Sequence, residues 1–128
     1  MADKDVRLTE VQLAVMRALW EAGKASTSEV YERAGKPRRL AYTTVATLLA
    51  RLEKRGLVKS AKAQGERVFE PLVTEDEATR SMVSSLVDTV FKGDPAALLS
   101  HLVREEELGA GDLDTIRKML GKGSKNDG

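Results

Sequence analysis

Ala41-Tyr42-Thr43-Thr44-Val45-Ala46-Thr47-Leu48-Leu49-Ala50-Arg51-Leu52-Glu53-Lys54-Arg55-Gly56 is the stretch whose pattern decides the fold. Val45, Leu48, Leu49 and Leu52 stand at the i, i+3, i+4, i+7 spacing of one buried helix face, and Gly56 ends the pattern. Thr43, Thr47, Ala50 and Lys54 fall on the opposite side, flanked by Ala46 and Arg51. An ordinary solvent face would carry Glu, Gln and Lys, the good helix formers. Threonine and alanine are an odd choice for water, and they suit a helix that must lie close against another surface.

On the N-terminal side of this helix lies a basic turn, Lys36-Pro37-Arg38-Arg39. Two capping boxes precede it: Thr9 with Gln12 opens a first helix ending at Gly23, and Ser26 with Glu29 opens a short second helix closed by Gly35. On the C-terminal side the period changes. Leu57-Val58-Lys59-Ser60 and Arg67-Val68-Phe69-Glu70 read as two short strands around a turn at Ala63-Gln64-Gly65-Glu66, with Pro71 closing the second. A third box, Thr74 with Glu77, starts a helix to about Lys92. Gly93-Asp94-Pro95 then stops that helix and caps a fifth, running to about Glu107, and Asp112 to Leu120 forms a last short one.

The expected fold is mainly α with a small β-hairpin. Three helices and a hairpin make an N-terminal winged helix-turn-helix over residues 1–73. A three-helix dimerisation region follows over 74–120, and a polar, glycine-rich tail over 121–128 is expected to be disordered.

Charge separates the two halves. Residues 1–73 carry fourteen Lys and Arg against nine Asp and Glu, whereas residues 74–128 carry seven against eleven. Within 33–67 there are ten basic residues and only Glu53 and Glu66 to oppose them. A basic half points to a polyanion partner that the acidic half does not touch, although an unevenly charged solvated surface would look the same. The chain has no cysteine, which removes disulfides, thiolate metal sites and a cysteine nucleophile together. No apolar run approaches the ~18 residues of a spanning helix, and the N-terminus lacks a signal-peptide core, so a cytoplasmic protein without membrane insertion is expected.

If the helix from Tyr42 to Arg55 enters a major groove, the Thr43 and Thr47 hydroxyls can bond base edges, and Ala46, Thr47 and Ala50 can touch thymine methyls. Arg38, Arg39, Tyr42, Arg51, Lys54, Arg55, Lys62 and Arg67 flank that face and are candidates for the phosphate backbone. For Arg51 the alternative is an ion pair elsewhere on the domain. For Tyr42 it is a ring packed at the helix start.

In the acidic half, Met82, Leu86, Val90 and Phe91 form one broad apolar stripe, Leu98, Leu99 and Leu102 a second, and Leu113, Ile116 and Leu120 a third. Three short helices of one chain cannot bury stripes this wide, so a second copy is expected to cover them. The alternative is that they pack back on the winged helix. His101 is the lone histidine, and a structural role suits it better than a metal or a proton switch.

Glu10–Gly23, Leu40–Val58 and Phe69–Glu77 closely resemble the penicillinase-repressor family of winged-helix regulators (the BlaI/MecI/CopY group), a likeness covering about residues 8 to 120. The resemblance implies a cytoplasmic homodimer on double-stranded DNA operators of inverted-repeat type. It places Thr43, Thr44, Ala46 and Thr47 at the DNA-reading end of the third helix and Arg67 in the wing. Copper-responsive members carry cysteine pairs, which this chain lacks. Antibiotic-responsive members are released by a sensor protease cutting an Asn-Phe bond, where this chain has His101-Leu102.

No nucleophile–base pair, phosphate-binding loop or metalloprotease motif is present, so neither an enzyme nor a cofactor is expected. A winged helix that binds only other proteins is the remaining alternative. Such a module would expose Leu, Phe or Trp where this helix has Thr and Ala.

Overall fold

The computed structural model describes residues 6–104 together with Gly109, Gly111, Asp112, Asp114, Thr115 and Lys118. Three helices come first, the first two opened by capping boxes. In α1 (Glu10–Ala22), Thr9 Oγ1 accepts from the Gln12 N–H while Gln12 Oε1 accepts from the Thr9 N–H, and Gly23 closes the helix at φ 84°. The Ser26 and Glu29 box opens α2 (Thr27–Val30) in the same reciprocal way. Its chain continues through a wider π-type turn, Tyr31–Gly35, and a 3₁₀ turn, Lys36–Arg38, before α3 (Tyr42–Lys54).

The sheet has three strands where the sequence suggested a hairpin alone. β2 (Val58–Ala63) and β3 (Glu66–Pro71) pair antiparallel from Val58↔Pro71 to Ala63↔Glu66. β1 (Ala25–Ser26) pairs with the other edge of β3, giving the order β1-β3-β2. Two residues carry no period to read, and Ser26 is at once the end of β1 and the N-cap of α2. The strands are also longer than expected, because the turn is only Gln64 and Gly65, both at positive φ (53° and 83°) as the tight hairpin turn demands.

The chain divides into two compact units, residues 1–85 and 86–128. In the first, the core joins Val15, Met16 and Leu19 of α1 to Val45, Leu49 and Leu52 of α3, with Leu57, Val58 and Phe69 from the sheet side, all at most 4% exposed. Leu48 packs against this core only half-buried. The expected boundary at 73/74 is displaced into α4 (Glu75–Val90) because the first half of that helix belongs to the winged helix. Ala78 is buried in its core, Met82 packs on it, and Ser81 Oγ accepts the Val6 N–H at 3.1 Å. The Trp20 indole N–H donates to the Val73 carbonyl at 2.9 Å and ties down the approach to α4.

In the second unit, Asp94 Oδ1 accepts the Ala96 N–H and opens α5 (Pro95–Arg104) with proline at its first position. The expected extension to Glu107, the final helix's Leu113, Ile116 and Leu120, and the tail 121–128 lie outside the described residues. Gly111, Asp112, Asp114, Thr115 and Lys118 are helical.

Candidate nucleic-acid interface

α3 begins bluntly. Ala41 caps it with extended backbone and no side-chain hydrogen bond, so the first N–H groups of the helix are left for other partners. Val45, Leu49 and Leu52 are fully buried, which fixes the rotation of α3 and turns Thr43, Thr44, Thr47 and Ala50 outward. Ala46 is half-buried at the edge of this face. The exposed surface is therefore short side chains, three of them threonine hydroxyls, along the N-terminal two-thirds of one helix. Tyr42 stands at its start with its ring 5.6 Å from that of Tyr31 and its hydroxyl 3.4 Å from Ser28 Oγ, leaving the residue 46% exposed.

The cations around this face differ in how they are held. Arg39, Arg51, Lys54 and Lys62 are exposed and take part in none of the ion pairs among the described residues. Arg55 is exposed as the cap of α3. Arg39 sits at φ 58° where the basic turn reverses into the helix. Arg38 is different: its guanidinium donates to the Ala34 carbonyl and lines a shallow cleft with Ala14, Arg17, Ala18, Glu21 and Arg33. A carbonyl left over at the end of the π-type turn captures it and sets it beside α1. Lys36 and Lys59 are paired with Glu32 and Glu70.

In the wing, Lys62 lies directly opposite Arg67. Facing residues of an antiparallel pair share one side of the sheet, and alternation puts these two on the same side as buried Phe69 and Val58. Arg67 Nη1 donates to Ser60 Oγ at 2.9 Å, and Ser60 Oγ donates to Glu53 Oε2 at 2.7 Å. This link between helix and wing was not legible in the sequence. The one clue was Glu53 itself, an acid where nearly every other charge is basic.

Of the residues expected at a dimer interface, Leu86, Val90 and Leu99 are 41%, 59% and 36% exposed. Phe91, Leu98 and Leu102 are half-buried, and Met82 is partly covered within the first unit. His101 is exposed on α5 with its ring 6.1 Å from that of Phe91. Among the described residues, no three His, Asp or Glu side chains cluster to hold a metal ion, and no helix is long and apolar enough to cross a membrane.

A winged helix that offers short side chains on its third helix, with exposed cations around them, is the form of a DNA-binding regulator. Residues 8–122 match the family described as penicillinase repressor. The transcriptional regulator BlaI of Mycobacterium tuberculosis is 35% identical over 119 residues, which cover 91% of this chain and 85% of that protein. The penicillinase repressor of Staphylococcus aureus is 24% identical over 125 residues, 98% of this chain and 99% of that one. A solution structure of Bacillus licheniformis BlaI, in monomeric form in complex with the blaP half-operator, is 26% identical with a TM-score of 0.52, covering 59% of this chain and 93% of that chain. This chain belongs to the penicillinase repressor family and is a DNA-binding transcriptional repressor.

Proposed function

We propose that the protein represses transcription in the cytoplasm as a homodimer, each copy laying α3 in the major groove of one half of an inverted-repeat operator. Thr43, Thr44, Ala46, Thr47 and Ala50 read base edges and thymine methyls. Arg39, Arg51, Lys54 and Arg55 grip phosphates beside the helix, while Lys62 and Arg67 do so from the wing. Arg38 and Tyr42 border the same backbone path. The observation that carries this reading is the outward face of α3, where exposed Thr43, Thr44, Thr47 and Ala50 stand beside Arg39, Arg51 and Lys54, which take part in no ion pair among the described residues. The half-operator complex of the B. licheniformis relative supports it.

A second copy covers the apolar stripe of Leu86, Val90 and Leu99, which a lone chain leaves in water. Release by a sensor protease is what the family resemblance implies. The bond concerned, His101–Leu102, lies inside α5, so it is cut only when that helix locally opens.

Selection of bound fragments from a random DNA pool tests the whole reading. An inverted repeat with half-sites about one helical turn or a small multiple apart is expected. Recovery of no consensus, together with binding that ignores salt, would sink it.

A further inference from the structure

Glu53 needs an explanation. It is one of only two acidic residues between positions 33 and 67, and it sits on the helix that faces a polyanion. A carboxylate there repels phosphates, so its presence costs affinity unless it returns something. What it touches is Ser60, whose hydroxyl donates to Glu53 Oε2 at 2.7 Å and accepts from Arg67 Nη1 at 2.9 Å. A hydroxyl has one proton to give and lone pairs to receive. Here the proton goes to an anion and a lone pair takes a cation's N–H, so both bonds are charge-assisted and each polarises the other.

The chain of contacts spans three elements, α3 to β2 to β3. Glu53 is half-buried and fixed by its buried neighbours Leu49 and Leu52, whereas Arg67 is exposed and takes part in no ion pair among the described residues. The guanidinium is thus held by one of its N–H groups, on the α3 side of the hairpin, and its other donors are not consumed by a carboxylate.

We propose that Glu53 and Ser60 are positioning residues for DNA binding. They hold the Arg67 guanidinium at a set distance from Arg51 and Lys54, so that helix and wing present one preorganised phosphate clamp, and Arg67 is not left to be ordered on contact. This rests on the reading that Arg67 meets the backbone.

The test measures affinity of the full chain for the duplex recovered by selection, across a salt series. Ser60→Ala is expected to weaken binding about threefold to tenfold, and Ser60→Thr, which keeps the hydroxyl, to stay near the wild type. The double variant Ser60→Ala/Arg67→Ala should bind no worse than Arg67→Ala alone. A Ser60→Ala loss that persists in the Arg67→Ala background means that the hydroxyl only stabilises the hairpin, and overturns the proposal. Glu53→Ala should also weaken binding; tighter binding would show a carboxylate that merely repels phosphates, and overturns it equally. If Arg67→Ala itself leaves affinity and salt slope unchanged, the wing reading above has failed first.

Discussion

Thr47 is exposed at the centre of the α3 face, with buried Leu49 and Val45 beneath it, so its side chain can be enlarged without disturbing the core. Thr47→Tyr should leave the melting temperature and the oligomeric state unchanged while operator binding falls towards the nonspecific level, a drop on the order of 10³ or more. Retention of wild-type affinity for the selected duplex would show that this face does not enter the groove. Lys54→Ala should behave otherwise, weakening binding to every sequence alike and lowering the salt slope by about 1. Gly35 shows what pattern reading misses at this scale. It looks like a helix-ending glycine, yet its φ is −82°, which any residue can adopt. The reason for glycine is space: a Cβ there would lie 2.6 Å from Val45 Cγ2 and 3.0 Å from Tyr31 Cδ1. Gly35→Ala should therefore cost about 1–3 kcal/mol in denaturant unfolding by pushing on the base of α3.

Among the described elements, α2 is the shortest α-helix, a single turn opened by its cap. Ser26 is 3% exposed, accepts the Glu29 N–H and gives its own N–H to Glu29 Oε1 at 2.9 Å. The backbone N–H of Ser26, then its hydroxyl, hold the Glu29 carboxyl below its ordinary value of 4.5, with Arg33 adding a smaller pull against desolvation. A lowered value means that the ionised carboxylate favours the folded chain. Its contribution is complete above pH 4.5 and fades as pH falls through the lowered value. Glu29→Gln should thus melt below the wild type at pH 7, and the gap should close on acidification past that window. Ser26→Ala should cost about 1 kcal/mol. All three capping boxes were legible in the sequence because each is contained in four consecutive residues. α3 was legible because its period is strong. β1 was not, since only its pairing with Phe69 and Val68, far along the chain, makes Ala25 and Ser26 a strand. The outward face of α3 followed from the period alone, whereas the Ser60 link needed the hairpin register, which a run such as Ser60-Ala61-Lys62-Ala63 does not reveal.

For the whole molecule, the place to divide the chain matters. A fragment of residues 1–85 keeps buried Ala78 and the Val6–Ser81 hydrogen bond, and one of residues 1–73 loses both. Thermal denaturation should find the longer fragment clearly more stable, and equal melting temperatures would place the start of α4 outside the fold of the winged helix. Under the dimer proposal the longer fragment should also bind a single half-site weakly as a monomer. In the full chain, Val90→Glu should shift sedimentation towards the monomer, because Val90 is 59% exposed and a charge there is costly only beneath a partner.

The central place of β3 has a further consequence, visible to hydrogen exchange. Val68 and Phe69 are flanked by β1 on one side and β2 on the other, while Glu66 and Arg67 have β2 alone. Amides at the base of the wing should therefore exchange only when the whole winged helix opens, and those near Gln64 and Gly65 through local fraying. Protection should fall off steeply along only a few residues. A hairpin graded in this way can bend at its tip to follow a groove of varying width while its root stays fixed to the core.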